Sequence, residues 1–343
     1  MKGGEKIKAA VYQGVEDIKV EDVPEPEVEP DGVIIKVNAC GICGSDVHSY
    51  QGGRGAGKIP GHEFSGDIVE IGANITGVEK GDRVVVMSGR GCGQCYWCQQ
   101  GQWIRCSKMA LLGLAFPGAF AEYVSVPNFS MGLYAAKLPE SLSYEEGATA
   151  EPVSVAWHGV TQVHPQPEDT VVVIGAGFIG LAIIQILKSI GVSQIIVSGR
   201  RAKRLQLAKE SGADVVVDAA KDDIVPIVEE VTSGKKADIV FDVAGTEGTF
   251  QQALQMVHRG GKVDLVGLYG QTIDWRPTFI VSNDITIAGC GLRFDLPGAI
   301  DLMQRGKVNA KPLITHQFPL DKVKEAFDTQ LGVKDAIKVL VKL

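Results

Sequence analysis

Four cysteines lie close together in one segment of the chain. They follow the spacing C-x2-C-x2-C-x7-C within fifteen residues on a glycine-rich loop: Cys92, Cys95, Cys98 and Cys106. Zn²⁺ takes four ligands in a tetrahedron, and closely spaced thiolates on a turning loop can supply them. A similar spacing can hold an iron–sulfur cluster, and unligated buried thiols are the plainest alternative. We predict a metal-binding lobe over 89–108 and interpret it as a closed structural zinc site, which has no vacant position for chemistry.

A second set of metal-capable residues is scattered along the chain. It consists of Cys43, His62, Glu63 and Glu151. Catalytic zinc usually takes three protein ligands from separated places and keeps one position open. A single cysteine, however, is most often a small buried hydrophobe, and a single histidine is most often a satisfied polar side chain. Spacing alone therefore leaves a catalytic metal site and ordinary buried side chains as alternatives.

A glycine-rich turn lies within the segment 171–189, between a run of β-branched residues and an apolar helical pattern. Its G-x-G-x-x-G spacing opens a dinucleotide site when strand and helix flank it in this order. The first glycine permits the turn, the second lets backbone N–H groups approach a pyrophosphate, and the third lets the helix lie close to the strand. A tight turn without a ligand is the alternative. The predicted cofactor contacts of the turn are Gly175, Gly177, Phe178, Ile179 and Gly180.

The elements before this turn indicate an antiparallel domain. Short segments alternate like strands, with prolines and glycines between them. They cover residues 7–11, 18–20, 33–37, 66–69 and 83–86. This pattern predicts an irregular antiparallel barrel.

The periodicity changes at a helical segment over 145–162. Strand and helix patterns then alternate to about residue 290, which predicts an open parallel sheet with right-handed crossovers. Besides the two strands that flank the helix of the glycine turn, its predicted strands are 214–217, 239–242, 261–266 and 285–287. A helix near 297–305 and a strand over 337–341 rejoin the first domain. We therefore predict an α/β protein with a barrel domain over 1–152 and 291–343, and an inserted doubly wound (Rossmann) domain over 153–290.

Several motifs together resemble the zinc-dependent medium-chain dehydrogenases, the alcohol and polyol dehydrogenase family. They are Cys40-Gly-Ile-Cys-Gly-Ser-Asp-Val-His48, Gly61-His-Glu-Phe-Ser-Gly66, Gly81-Asp-Arg-Val84, the four-cysteine lobe, Glu151-Pro-Val-Ser154 and Val173-Ile-Gly-Ala-Gly-Phe-Ile-Gly180. They run in the family's order and cover essentially the whole chain. The segments around Glu151 and Arg293 are most similar to the sorbitol dehydrogenase branch. The resemblance implies a GroES-like irregular barrel as the catalytic domain.

The resemblance also implies a role for each scattered residue. Cys43 and His62 would ligate a catalytic zinc, so that the chain would hold two zinc ions. Glu63 would be a ligand that exchanges with water or substrate. Glu151 occupies the third-ligand position, where it would bind directly or through a water.

Ser45 and His48, which follow Cys43, resemble the family's proton carriers. Ser45 would hydrogen-bond the substrate oxygen, and His48 would pass the proton on to solvent. Together with Glu63 they form the predicted catalytic set. The residue types agree with the chemistry, because zinc as a Lewis acid helps an alcohol to lose its proton and nicotinamide accepts the hydride.

The residues at the end of the strand after the glycine turn indicate which nicotinamide cofactor is used. An NAD site usually carries an acid about twenty residues past the glycines, but Gly199 stands there. Gly199 leaves room and Ser198 offers a hydroxyl. Three arginines, Arg200, Arg201 and Arg204, can pair with a 2′-phosphate, which predicts NADP(H). The alternative is a solvated basic start to a helix, which the helix dipole disfavours.

The remaining predicted contacts lie at later strand ends and in the pocket. For the cofactor they are Val266, Gly267, Leu268, Leu292 and Arg293, and for the substrate Tyr50, Trp103, Phe116 and Arg293. A surface salt bridge is the alternative for Arg293. The loop 51–60 is short and glycine-rich compared with the family's, which argues against carrying specificity over from sorbitol dehydrogenase.

We therefore predict an NADP-dependent zinc dehydrogenase of a polyol or secondary alcohol and the matching ketone. A threonine-type amino-alcohol dehydrogenase is an alternative of the same class. A non-catalytic or zinc-independent NADPH-binding relative is an alternative of another class.

Composition bounds the partners and the location. The net charge of −7 gives no support for nucleic-acid binding. The longest apolar run, 171–187, is broken by motif glycines and predicts a buried strand and helix rather than a membrane span. Seven cysteines without an export signal predict a cytoplasmic protein. The resemblance implies a homodimer or homotetramer, with the strand near 285–290 as a possible edge contact.

Overall fold

A computed structural model describes residues 6–291 and 295–343. The chain divides into two compact units. Unit 1 comprises Met1–Ser154, Phe294–Arg305 and Ala310–Leu343, and unit 2 comprises Val155–Arg293 and Gly306–Asn309. The domain limits derived from the sequence stay a prediction.

The first part of the chain is mainly β-structure, interrupted by short helices. Its elements are β1 (Lys6–Gly14), β2 (Asp17–Pro24), β3 (Val33–Gly41), α1 (Gly44–Gly52), β4 (Glu63–Ile71), β5 (Arg83–Val86), β6 (Gly89–Arg90), α2 (Tyr96–Gln99), β7 (Ala110–Leu111), β8 (Tyr123–Val126), β9 (Ala135–Lys137), α3 (Tyr144–Gly147) and α4 (Ala150–Val163). A short 3₁₀ turn over Trp103–Arg105 lies within the cysteine-rich segment.

Strands and helices then alternate through unit 2. The elements are β10 (Thr170–Ile174), α5 (Phe178–Ser189), β11 (Gln194–Gly199), α6 (Ala202–Glu210), β12 (Val215–Asp218), α7 (Ile224–Val231), β13 (Ala237–Asp242), α8 (Glu247–Met256), β14 (Val257–Leu265), α9 (Pro277–Asn283) and β15 (Thr286–Gly289). The strands form one parallel sheet in the order β12-β11-β10-β13-β14-β15. This is the doubly wound order, so the predicted Rossmann sheet is confirmed.

The last part of the chain returns to unit 1. Its elements are α10 (Leu296–Gln304), β16 (Ile314–Pro319), α11 (Val323–Gly332) and β17 (Lys338–Lys342), with 3₁₀ turns over Lys311–Leu313 and Leu320–Lys322. β17 pairs with β3, which pairs with β4, and the sheet runs β16-β17-β3-β4-β5-β9 with β8 also on β3. The pairing of β3 with β4 shifts register near Ile34 and again between Val37 and Ala39. Such irregularities bend strands, as a barrel requires.

The side chains explain why the two sheets differ. β10 is buried along its whole length and consists of apolar and β-branched residues, as the central strand of a helix-covered parallel sheet must be. In unit 1, Tyr50, Phe120 and Phe327 pack with tilted or edge-on rings in the buried core. No helix within residues 6–291 and 295–343 is both long and apolar enough to cross a membrane.

The predicted helix over 145–162 was wrong in its first part, because the chain forms two helices there. α3 has a capping box between Ser143 and Glu146, and it ends at Gly147 with Ala148 as its C-cap residue. α4 then starts at Ala150, which leaves Pro152 in its first turn. Proline is tolerated in a first turn because its missing N–H has no intrahelical partner there. The helix of the glycine turn ends at Ser189 as predicted.

One buried residue of unit 2 departs from the apolar pattern of its sheet. Asp264 lies near the end of β14 and is fully buried. Gln162 of α4 donates a hydrogen bond of 2.6 Å to its Oδ1, while its Oδ2 has no partner within the described part of the chain. Burial raises the pKa of Asp264 to about 7, and the bond from Gln162 offsets part of this effect.

We predict that Asp264→Asn changes how stability depends on pH. Because the carboxyl of the folded protein holds its proton more tightly than that of the unfolded chain, wild-type stability falls as pH rises from about 4 to 7. The full shift corresponds to at most about 4 kcal/mol. Asn does not ionise, so the stability of the variant relative to wild type should increase over this range and level off above it.

Thermal unfolding of both proteins between pH 5 and 8 measures this difference. Asp82→Asn is the matched control, since the ion pair with Lys137 lowers the pKa of Asp82 and its titration ends below this window. The prediction fails if the difference between Asp264→Asn and wild type is as constant with pH as that of the control.

Candidate active site

The predicted catalytic ligands meet because β3 and β4 are antiparallel neighbours. Gly41, at the end of β3, pairs in register with Glu63, at the start of β4. Cys43 follows β3 and is the N-cap residue of α1, and His62 immediately precedes β4. The carboxylate of Asp46 accepts a 3.0 Å hydrogen bond from the backbone N–H of Cys43 and fixes this turn.

Cys43, His62 and Glu63 form a compact group of possible metal ligands. One ligand atom from each lies within 4.8 Å of the others. A thiolate, an imidazole and a carboxylate suit zinc, and three protein ligands leave a position free for substrate. The donor set therefore fits the zinc ion that the family resemblance implies.

Glu151 lies outside this compact group, although it is buried in the same unit. Ser88 donates a 3.0 Å hydrogen bond from Oγ to its Oε1. Burial raises the pKa of Glu151 to about 7, and the nearby His62 offsets part of this effect. Glu151 is therefore held by Ser88, outside the compact group of three residues.

Two charged residues of the site were missed in the sequence. Lys338 of β17 is buried and donates 2.5 Å and 3.2 Å hydrogen bonds to Glu63 Oε2 and to the carbonyl of Ile42. Asp46 is buried too, with Oδ1 3.6 Å from His62 Nδ1. A lysine inside the apolar run 337–341 was the available signal, because a buried ammonium needs an anionic partner.

The surroundings of the ligands favour positive charge. Burial disfavours an imidazolium, yet Asp46 and Cys43 raise the pKa of His62 well above its usual value. Burial likewise disfavours the ammonium of Lys338, but Glu63 and Cys43 raise its pKa. The anionic side chains around His62 and Lys338 thus stabilise positive charge in this region.

The predicted proton carriers lie on α1, three residues apart. Ser45 is half-buried and His48 is exposed. Residues three apart lie on the same face of a helix. Their placement thus leads from the interior to the solvent.

The four cysteines of the lobe also come together. Their sulfur atoms all lie within 4.8 Å of one another. Backbone N–H groups of Cys92 and Lys108 each donate a 3.4 Å bond to the sulfur of Cys106. The backbone N–H of Gln94 makes the largest contribution to lowering the pKa of Cys92, and a second backbone N–H adds to it. Their hydrogen bonds bring this pKa to about 6 and favour the thiolate. Four thiolates in this arrangement fit a tetrahedral metal.

The assignment of the candidate substrate residues to the pocket stays a prediction. Tyr50 is fully buried and donates a 2.8 Å hydrogen bond to Asp328, so its hydroxyl already has a partner within unit 1. Trp103 is buried and packs edge-on against Tyr134. Phe116 is half-buried against the barrel core. Leu292 and Arg293 lie outside the described residues.

The glycine turn has the geometry expected of a dinucleotide site. Gly175 has a φ of +110°, which favours glycine. A Cβ at Gly177 would meet nothing within 4 Å, so the backbone before α5 is open to a ligand. A Cβ at Gly180 would collide with the carbonyl oxygen of Gly175. Phe178 and Ile179 form the first turn of α5.

The basic segment follows β11, beside the turn. Ser198 is buried and Arg200 is exposed, while Arg201 and Arg204 are half-buried. The room expected at Gly199 is small, because a Cβ there would lie 3.0 Å from that of Ala176. The later predicted contacts follow β14. Val266 is buried, Gly267 is half-buried and Leu268 is exposed.

Known proteins resemble this chain over almost its whole length, and two family models match large parts of it. The alcohol dehydrogenase GroES-like domain matches residues 29–140, and the zinc-binding dehydrogenase family matches residues 179–305. Sorbitol dehydrogenase of Bacillus subtilis is 34% identical over 348 residues, which cover 98% of this chain and 97% of that protein. The chain belongs to the zinc-type medium-chain alcohol dehydrogenases.

Two further relatives of this dehydrogenase widen the comparison. L-threonine 3-dehydrogenase of Pyrococcus horikoshii is 37% identical and covers 94% of this chain and 93% of its own length. The crystal structure of 2R,3R-butanediol dehydrogenase from Bacillus subtilis is 35% identical, with a TM-score of 0.88 and coverage of 98% and 99%. The predicted family and the GroES-like and Rossmann fold are thereby confirmed. The protein is an oxidoreductase of the zinc-dependent alcohol or polyol type that binds NAD(P).

We predict that Lys338→Met strongly destabilises this dehydrogenase. The change leaves the Glu63 carboxylate buried without its cation, which typically costs about 3–5 kcal/mol. The midpoint and slope of a urea unfolding curve give the free energy of unfolding, and its decrease in the variant measures the lost stability.

Lys137→Met is the matched control for this lysine. Lys137 also lies on a strand and pairs with Asp82 at 2.9 Å, but it is 61% exposed. Exposed pairs contribute at most about 1 kcal/mol. Equal losses in the two variants would show that Lys338 does not balance a buried charge.

Proposed function

We propose that this dehydrogenase oxidises a secondary alcohol or polyol to the matching ketone, with zinc held by Cys43, His62 and Glu63 and with NADP⁺ as hydride acceptor. The observation that carries the proposal is the meeting of these three side chains within 4.8 Å. A non-catalytic relative would have no need to keep such a donor set together in a buried anionic field.

The residues around the metal ligands would manage the proton of the alcohol. When bound, the metal supplies Lewis-acid polarisation of the alcohol oxygen, and the nicotinamide supplies a hydride acceptor. Ser45, half-buried on α1, would accept the proton that leaves the hydroxyl group. His48, exposed on the same helix face, would pass it to solvent. Glu63 stays paired with Lys338, and Glu151 would hold a bridging water.

The cysteine lobe would hold a second zinc ion, which stabilises structure. Cys92, Cys95, Cys98 and Cys106 fill a tetrahedral shell and leave no vacant position. Zinc–thiolate ligation needs reduced cysteines, and all seven cysteines of the chain are free of disulfides. This need supports a cytoplasmic location, as proposed from the sequence.

NADP(H) is the proposed cofactor because of the charge at the end of β11. Gly199 replaces the acid that binds the ribose 2′-OH of NAD. Arg200 lies next to it and is exposed, so its guanidinium is available to a 2′-phosphate. Arg201 and Arg204 begin α6 and add positive charge.

The substrate class rests on the relatives together with the ligand set. Sorbitol and butanediol dehydrogenases act, by name, on a polyol and a secondary diol. The 37% identity to a threonine dehydrogenase favours amino-alcohol oxidation as the second candidate. A panel of sorbitol, 2,3-butanediol and L-threonine, each with NADP⁺ and NAD⁺, separates the two. A homodimer or homotetramer is proposed from the resemblance, with the edge strand β15 as the contact.

We predict that Cys43→Ser halves the zinc content and abolishes turnover. Wild type should contain about two zinc ions per chain and the variant about one, because the cysteine lobe is intact. Elemental analysis after dialysis measures the metal, and NADPH titration should show unchanged binding.

Cys290→Ser is the matched control, since Cys290 is a thiol of unit 2 that donates to a backbone carbonyl. It should keep both zinc ions and full activity. Turnover retained in Cys43→Ser would contradict zinc catalysis, and one zinc in wild type would contradict the second site.

We predict that Arg200→Ala lowers kcat/KM for NADP⁺ about 10- to 100-fold and leaves that for NAD⁺ nearly unchanged. A charge-assisted hydrogen bond to phosphate contributes about 1.5–3 kcal/mol, which gives this range. Steady-state kinetics with both nucleotides measures the effect.

Lys209→Ala removes a cation from the last turn of α6, the helix that follows Arg200, and is the control. This variant should change kcat/KM for neither nucleotide by more than about twofold, as expected of an exposed charge. A wild type that prefers NAD⁺, or an Arg200→Ala variant that loses both nucleotides equally, would contradict the assignment of NADP(H).

A further inference from the structure

Asp242 lies at the point of the parallel sheet where the strand order reverses. β10 lies beside β13, and the chain builds the sheet outward from these two strands in opposite directions. Ligands of open parallel sheets bind outside the carboxyl ends of the strands at such a point. Asp242 is the last residue of β13 and pairs in register with Ile174, the last residue of β10.

Asp242 binds the loops that follow two neighbouring strands. Its Oδ1 accepts hydrogen bonds of 3.0 Å and 3.1 Å from the backbone N–H groups of Ala244 and Gly245. Its Oδ2 accepts a 2.5 Å bond from the hydroxyl of Tyr269. Its backbone carbonyl accepts two more, each of 2.9 Å, from the N–H groups of Val266 and Gly267. One fully buried residue thus holds the loop after β13 and the loop after β14.

The same two loops pack against each other and against the glycine turn. A Cβ at Gly175 would lie 3.3 Å from the nitrogen of Ala244. A Cβ at Gly267 would approach the nitrogen of Gly245 to 2.5 Å, so the loop backbones are in direct contact. The three loops therefore form a stack with the loop 243–245 in the middle. A shift of the middle loop would move both of its neighbours.

We propose that Asp242 and Tyr269 form a clamp that positions the glycine turn and the segment Val266–Leu268 for the nicotinamide cofactor. The inference rests on the proposed function, since it takes these loops as the cofactor site. Both residues act through the backbone and are positioning residues. None of the motifs that identify the family includes them.

The chemistry of the pair suits a permanent clamp. Burial and the neighbouring Asp242 raise the pKa of Tyr269, so its hydroxyl remains a neutral donor. The Tyr269 ring stands edge-on to Phe250 at 6.4 Å, which limits its movement. Among the residues that the structure describes, three neutral donors satisfy the Asp242 carboxylate.

The clamp should affect both binding and hydride transfer. Loops that are ordered before binding do not lose entropy when the cofactor arrives. Hydride transfer also depends on the position of the nicotinamide, and a displacement of about 1 Å can slow a reaction about 100-fold. A residue that only stabilises the fold would change the melting temperature without these two effects.

Tyr269→Phe tests the clamp, because it removes the hydroxyl and keeps the ring against Phe250. Fluorescence titration of the zinc-loaded enzyme with NADPH and with NADH gives the dissociation constants. For the nucleotide that wild type binds more tightly, we expect the dissociation constant to rise about tenfold. We also expect a lower kcat and a larger primary deuterium isotope effect with the deuterated alcohol.

Tyr144→Phe is the matched control. Tyr144 also donates a 2.5 Å hydrogen bond to a carboxylate, that of Asp67, but it lies in unit 1. It should lose a similar amount of thermal stability and keep the wild-type nucleotide affinity within twofold. Wild-type affinity in Tyr269→Phe, or equal weakening in both variants, overturns the clamp alone. A wild type that binds neither nucleotide overturns the proposed function and the clamp together.

Discussion

The buried ion pair between Glu63 and Lys338 is the interaction on which the metal-ligand region depends. Anionic side chains concentrate at the ends of β3 and β4, where the surroundings are apolar and ionised groups are costly. The ammonium of Lys338 offsets this cost from the neighbouring strand. The sheet order β17-β3-β4 is therefore an electrostatic requirement as well as a packing arrangement. Without β17, the anionic side chains would have to take up protons or move apart.

The chain balances its buried carboxylates in three different ways. Glu63 pairs with the ammonium of Lys338. Asp242 accepts hydrogen bonds from three donors. Asp264 has a single donor and a raised pKa, so neutralisation is its solution. The first two lie at the proposed metal ligands and at the proposed cofactor loops. Asp264 instead bonds Gln162 of α4, and it marks a point where the stability of the fold depends on pH.

The sequence allowed the family, the two sheets and the meeting of Cys43 with His62 to be predicted, because short motifs encode local turns. Gly180 and the end of α5 at Ser189 follow from local geometry. Partners that the fold brings together from far along the chain could not be predicted. Lys338 lies 275 residues from Glu63, and no local pattern connects them. The hydrogen bond of Tyr50 could not be predicted for the same reason, since its partner Asp328 comes from a distant helix.

The discontinuity of unit 1 has a consequence for synthesis on the ribosome. Glu63 is made 275 residues before Lys338, and the whole parallel sheet lies between them. At about 5–20 residues per second, the delay is on the order of tens of seconds. Unit 2 can complete its sheet during this time, because its strands follow one another closely along the chain. The ligand region of the nascent protein therefore waits for its cation, and the catalytic centre is among the last parts to form.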